Sequence, residues 1–195
     1  MHTRRLATLV LGVWLGLTGA MFFVATQNFR GVDRLLAEPA PEAGKTFQQL
    51  GRDHSRMLLR YQASELNRFY FDWFSSLQIG LAILLLLTLL FATNGNKVML
   101  SLSLAVTLLV VFEKALLVPE ITFLGRAIDF VSTDVASPAR NRFWSFHTAY
   151  STAEMIKLGL LTAIGLKMLI ASSQKRSRAI RVADLGASTM EMRQY

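Results

Sequence analysis

The chain has 195 residues, of which 52% are apolar and only 17% charged, with a mean hydropathy of +0.37. Soluble domains carry about 25% charged residues, so lipid is the expected solvent for much of this chain. The absence of cysteine excludes disulfide scaffolds, thiolate metal sites, iron–sulfur clusters and cysteine nucleophiles, while the net charge of +8 points first to anionic lipid and helix-flanking charges rather than to nucleic acid.

Four apolar runs are long enough for helical spans, at about 6–29, 71–92, 98–118 and 143–171. Backbone groups in lipid must be satisfied within the segment, so each run is expected to be a helix. The first follows the basic residues Arg4 and Arg5. It is longer than the h-region of a cleavable signal, about 7–15 residues, and no small-x-small site follows it, so it reads as a retained span. Beyond it, the Pro- and Ala-rich stretch 37–44 predicts a turn. Phe47, Leu50, His54, Leu58 and Tyr61 then recur at helical spacing with Arg52, Arg56 and Arg60 between them. That pattern predicts an amphipathic interfacial helix over about 45–70 leading into the second span. Phe69, Tyr70, Phe71, Trp73 and Phe74 mark the interface level.

Asn94-Gly95-Asn96 supplies a tight turn between the second and third spans. Pro119 is expected to end the third. Residues 120–141 then form a loop with helical character around 121–131, and Pro138 precedes the fourth span. The tail, 172–195, reads as polar, basic and loose. The predicted fold is all-α: a single membrane domain over 1–171, built as a four-transmembrane-helix bundle with an interfacial helix between spans one and two. Lys and Arg are densest on the side that holds the termini and the Asn94–Lys97 hairpin, at Arg4, Arg5, Lys97, Lys175, Arg176, Arg178, Arg181 and Arg193. This predicts a multi-pass protein of the inner (cytoplasmic) membrane with both termini cytoplasmic, its tail near anionic head groups.

Gly12, Gly16 and Ala20 lie four residues apart in the first span, and Gly159 and Ala163 repeat the spacing in the fourth. Such faces let helices approach closely. Packing within one bundle is the first reading; a homodimer or another membrane-protein partner is the alternative.

The fourth span is the most polar. His147, Tyr150, Ser151, Glu154 and Lys157 follow spacings of three and four and share one helix face. Glu154 and Lys157 can pair along that helix. If spans three and four are antiparallel and Pro119 ends the third, Glu113 falls level with His147, and Arg142 gathers with Arg126 and Arg140 at the same mouth. A charge inside a span costs about 2.5–3.5 kcal/mol on insertion scales, so these residues need partners or a purpose. The first reading is a structural polar stripe that fixes helix rotation or docks a partner. The alternative is a path for a small solute or a proton. A catalytic site ranks last, since no phosphate loop, G-x-S-x-G or H-E-x-x-H is present. Haem is disfavoured because only His147 of the three histidines lies in a span, and no cluster has zinc-ligand spacing. The expectation is therefore a non-enzymatic membrane protein with no cofactor or metal and no nucleic-acid partner.

Three stretches carry a family resemblance: GVWLGLTGAMFFVATQNFR in the first span, LNRFYFDWFSSLQIGLAIL opening the second, and ARNRFWSFHTAYSTAEMIKLGLL opening the fourth. With Pro119-Glu120 after the third span and Arg142, Phe143 and His147 in the fourth, the chain resembles the transmembrane-protein-205-like family, which overlaps a bacterial domain of unknown function. The first connection is longer than that pattern has, and Glu154 and Lys157 replace milder polar residues. The resemblance implies a four-helix integral membrane protein and brings no particular reaction with it.

Overall fold

The computed structural model describes residues 2–92, 96–132 and 135–191, and among them every element is helical. The elements are α1 (His2–Ala37), α2 (Pro41–Leu50), α3 (Arg52–Ala92), α4 (Lys97–Phe112), a π turn (Glu113–Leu117), α5 (Val118–Ile128) and α6 (Pro138–Glu191). Three continuous helical stretches, Thr3–Ala37, Arg52–Phe91 and Lys97–Ile128, are long and apolar enough to cross a membrane. The fourth expected span is also helical, inside α6, but contains Glu154, Lys157 and Lys167.

Several boundaries differ from the sequence reading. Helix α1 continues past residue 29 to Ala37 because its last turns pack on α3. There Val32 is buried, Asp33 accepts a bond from Arg56 at 2.7 Å, and the Arg60 guanidinium lies 5.5 Å from the centroid of the Phe29 ring. The segment expected as one interfacial helix is divided at Gly51, whose φ of 79° closes α2. Its larger part, from Arg52, is the first half of α3 and continuous with the second apolar run. Its inward face, including Ser55, Ala63 and Asn67, is covered by other helices. Asn67 is fastened to α1 by the Asn28 amide at 2.6 Å and by its own bond to the Ala25 carbonyl at 3.2 Å. At 36 and 41 residues, α1 and α3 measure about 54 and 62 Å, well beyond the hydrocarbon thickness of about 30 Å. The charge-free part of α3 begins after Asp72.

Pro119 does not end the third helix. It lies in the first turn of α5, directly after the π turn, where the Val118 N–H bonds back to the Glu113 carbonyl. The wide turn takes up the place where a proline lacks its N–H and crowds the preceding turn, so the helix runs on to Ile128. Helix α6 starts at Pro138, a position where the missing donor does no harm. Its backbone stays helical to Glu191, through most of the tail expected to be loose. Residues 93–95, including Asn94 and Gly95 of the expected turn, lie outside the described residues; Asn96 caps α4 by accepting from the Met99 N–H at 3.3 Å.

The main core gathers Ala7, Val10, Leu11 and Trp14 of α1 with Ala82, Leu85 and Leu89 of α3, Val106 and Val110 of α4, and Leu161 and Ile164 of α6. Large apolar side chains such as Phe22, Phe91, Leu108 and Leu169 remain exposed, a surface suited to lipid. The small-residue faces are not in this core. Gly12, Gly16, Ala20 and Gly159 are exposed and Ala163 is half-buried; a Cβ added at Gly12, Gly16 or Gly159 would meet nothing within 4 Å. The opposite side of α1 turns inward because it carries the bulk, with Trp14 fully buried and anchored by its indole N–H on the Gln78 side-chain oxygen at 3.2 Å. The expected close packing of these glycines inside the bundle is therefore corrected.

Candidate functional site

Lys157 is fully buried in α6, with its ammonium 2.7 Å from Glu113 Oε2 and 2.7 Å from Glu154 Oε1. Glu154 Oε1 also accepts from the Tyr150 hydroxyl at 2.9 Å and from the Gln78 amide at 3.3 Å. Gln78 in turn accepts from Trp14. One polar chain thus joins α1, α3, the π turn and α6. Tyr150, Glu154 and Lys157 stand four and three residues apart, which sets them on one face of α6. Glu113 opens the π turn and is itself buried, 1% exposed. Its neighbour Lys114 points away and binds Asp72 at 2.6 Å.

The charges do not balance. Two carboxylates share one ammonium, and the second oxygens, Glu113 Oε1 and Glu154 Oε2, are buried with no hydrogen-bond partner among the described residues. Burying such groups unpaired is expensive, so the arrangement is not what packing alone would select. The two carboxylates also differ. Glu154 Oε1 accepts from three donors, whereas Glu113 accepts, among the described residues, from Lys157 alone.

Of the sequence-predicted cluster, Glu113, Tyr150, Glu154 and Lys157 come together. The expected pairing of Glu154 with Lys157 is present, but Glu113 is not level with His147. It meets Lys157, nearly three turns further along α6, about 15 Å at 1.5 Å per residue. The reason is the same as for Pro119: the helix turns back after Ile128 rather than after Val118, and the antiparallel register slides accordingly.

His147, Ser151 and Arg142 stand apart from the network. The His147 ring stacks on Phe143 at 5.7 Å and meets the edge of Trp144 at 5.5 Å. Ser151 is exposed and donates to the His147 carbonyl at 2.9 Å. Arg142 is exposed, 3.9 Å from Glu120. The sequence reading missed Trp14 and Gln78. The available signal was Gln78 itself, a lone amide within an apolar run.

A second polar group lies nearer the α5–α6 connection. Arg68 holds Asp129 through both carboxylate oxygens, at 2.7 and 2.8 Å, and Glu65 at 2.6 Å. Arg126 binds both oxygens of Glu65 at 3.0 Å. The hydrogen bond from Arg126, joined by that from Arg68 and opposed by burial, holds the Glu65 carboxyl down to about 2. Glu65 precedes the charge-free part of α3, outside the stretch suited to the hydrocarbon. Arg140, which the sequence placed at this mouth, instead donates to the carbonyls of Val131, Ser132 and Val135. Between the two polar groups is a cavity of about 120 Å³ that reaches Arg68 on one side and Tyr150 on the other.

Among the described residues, no group of three or more His, Cys, Asp or Glu is placed to hold a metal. Compared with known proteins, the chain matches no family model, no curated protein and no solved structure.

Proposed function

We propose that this is a four-span protein of the inner (cytoplasmic) membrane, with both termini cytoplasmic, that handles a proton together with a small solute through the Glu113–Lys157–Glu154 network. The observation that carries the reading is the sharing of one buried ammonium by a buried carboxylate, Glu113, and a half-buried one, Glu154, each with an oxygen unpaired among the described residues. One further proton makes the trio neutral. Glu154 is fixed as an acceptor by Lys157, Tyr150 and Gln78, which leaves Glu113 to carry that proton. Tyr150 links the trio to the cavity: its hydroxyl can pass its proton to Glu154 while accepting another from the cavity side, and Lys157 can give one proton to Glu113 while taking the one on Glu154, so Glu113 ends protonated and the other groups regain their starting state.

The fourth span is supported by the burial of Lys157 and by Leu161 and Ile164 in the common core, which keeps the Lys157 charge from lipid, while the exposed Lys167 lies near the end of the span, where a long side chain can reach the interface. The orientation rests on the basic residues near the termini. Membership of the transmembrane-protein-205-like family and a non-enzymatic role are part of the same proposal. They rest on the quoted motifs and on the lack of a catalytic one.

Infrared spectroscopy of the reconstituted protein tests the proton. A protonated-carboxyl band at neutral pH is expected in the wild type and is expected to vanish in Glu113→Gln, and in Glu154→Gln too, where the one remaining carboxylate already balances Lys157. Absence of the band from the wild type would overturn the reading. The Trp14–Gln78–Glu154 chain, which fastens three helices, favours a second reading of the network as a structural or partner-docking stripe. That reading expects no exchangeable proton at Glu113.

A further inference from the structure

The cavity beside Tyr150 has ring-shaped walls and very little free polarity. Phe29, Phe71, Phe143 and Tyr150 face it from α1, α3 and α6, and Thr122 from α5. Its volume of about 120 Å³ is near that of apolar protein cavities, about 150 Å³, that hold benzene.

Its polar groups narrow the ligand further. The Arg68 guanidinium reaches the cavity but is committed to Asp129 and Glu65. With Arg126 also bound to Glu65, the four charges cancel and leave none for an anionic or a cationic ligand. Asn67 is likewise committed to α1, through Asn28 and Ala25. Ser64 and Thr122 also bring hydroxyls to the cavity, but His147 differs in lying within its aromatic walls, its ring stacked on Phe143 at 5.7 Å, with no hydrogen bond from either ring nitrogen among the described residues. A half-buried imidazole left open toward an aromatic slot is a recognition group awaiting a partner.

We infer that the slot binds a small, neutral, single-ring molecule bearing a hydroxyl, a phenol-class solute, with the ring between the aromatic walls and the hydroxyl on His147. This names the solute class of the proton-handling reading and rests on that reading for the coupling through Tyr150; the binding itself does not.

Fluorine NMR of the full-length protein in lipid nanodiscs provides the test, with 4-fluorophenol, 4-fluorotoluene and 4-fluorobenzoate as probes. The expected result is a saturable bound signal for 4-fluorophenol, affinity about tenfold lower for 4-fluorotoluene, as the loss of one hydrogen bond predicts, and no bound signal for 4-fluorobenzoate. His147→Phe keeps the apolar shape and should bring the phenol-to-toluene ratio to about one. Thr122→Trp should fill the slot and remove both signals, and Thr122→Phe serves if the larger side chain prevents folding.

Equal binding of phenol and toluene by the wild type would overturn the inference, as would a phenol signal insensitive to both His147→Phe and the filling variants. Failure to bind, with the slot occupied by a lipid chain, would overturn it too. Phenol binding without a protonated-carboxyl band would remove the proton reading and leave the slot; the band without phenol binding would do the reverse.

Discussion

Replacing Lys157 with methionine keeps a flexible side chain in the same space and deletes the ammonium between the buried Glu113 and the half-buried Glu154 carboxylates. Two charge-assisted bonds of 2.7 Å are lost. Each such bond contributes about 1.5–3 kcal/mol, and breaking a buried ion pair by removing one partner costs about 3–5 kcal/mol. Both estimates place the destabilisation of Lys157→Met near 3–5 kcal/mol.

The structure also predicts which second change restores the loss. Without Lys157, Glu154 still receives bonds from Tyr150 and Gln78, whereas Glu113 has no donor. Lys157→Met with Glu113→Gln should therefore recover at least half of the lost stability, and Lys157→Met with Glu154→Gln distinctly less. Equilibrium unfolding of the purified protein in bicelles near neutral pH, run as a double-mutant cycle, measures this. A loss under about 1 kcal/mol for Lys157→Met, or strictly additive effects in the cycle, would refute the reasoning.

Gly125 lies where a new Cβ would sit 3.0 Å from Arg68 Nη2 and 3.4 Å from the Phe143 ring. Because Asp129 locks that guanidinium, Gly125→Ala should destabilise by about 1–3 kcal/mol in the same assay; a neutral outcome would mean that Arg68 is free to move. Gly16→Leu, on the outward face of α1, should change stability by no more than about 0.5 kcal/mol, and a loss of several times that would show the face to be packed. The Glu65 carboxyl is depressed in the folded protein, so its link to Arg126 and Arg68 contributes fully above its ordinary value of 4.5 and fades as pH falls toward about 2. The stability difference between wild type and Glu65→Gln should shrink over that window, and a pH-independent difference would contradict the assignment. With no native cysteine, Ser173→Cys and Asn96→Cys should react with a membrane-impermeant thiol reagent only from the cytoplasmic side, and Gly44→Cys only from outside. Opposite labelling of Ser173→Cys and Asn96→Cys would break the four-span arrangement.

The helical class and the approximate position of each apolar segment were legible because lipid imposes helix on any long uncharged run. The inward face of α6 was legible too, since Tyr150, Glu154 and Lys157 carry their register in their own spacing. What was hidden lies between helices. Pro119 reads locally as a terminator, and nothing in the neighbouring residues announces the π turn that lets the helix pass it. That one misreading displaced the expected partner of Glu113 from Lys157 to His147. On α1 two signals competed, a row of glycines and a single tryptophan. The glycines suggested the contact face, but the indole had both the larger apolar area and a polar atom to satisfy, and only the position of Gln78 on another helix reveals which face wins. The break at Gly51 within 45–70 was hidden too, and so was the partner of its inward face: an amphipathic face can be covered by lipid or by another helix, and the sequence of one segment does not distinguish them.

The π turn has a consequence for insertions and deletions. A π turn is an α-helix carrying one surplus residue, and each residue advances the helix by about 100° and 1.5 Å. Deleting Ala115 would therefore remove the surplus and leave a regular helix whose two halves stay close to their present register. A deletion from a regular turn has no surplus to draw on: without Leu108, for example, one side of the cut would rotate by that angle relative to the other, and either Val106 or Val110 with Glu113 would leave its present contacts. A deletion scan along Lys97–Ile128 should accordingly spare the π turn and fail on either side of it.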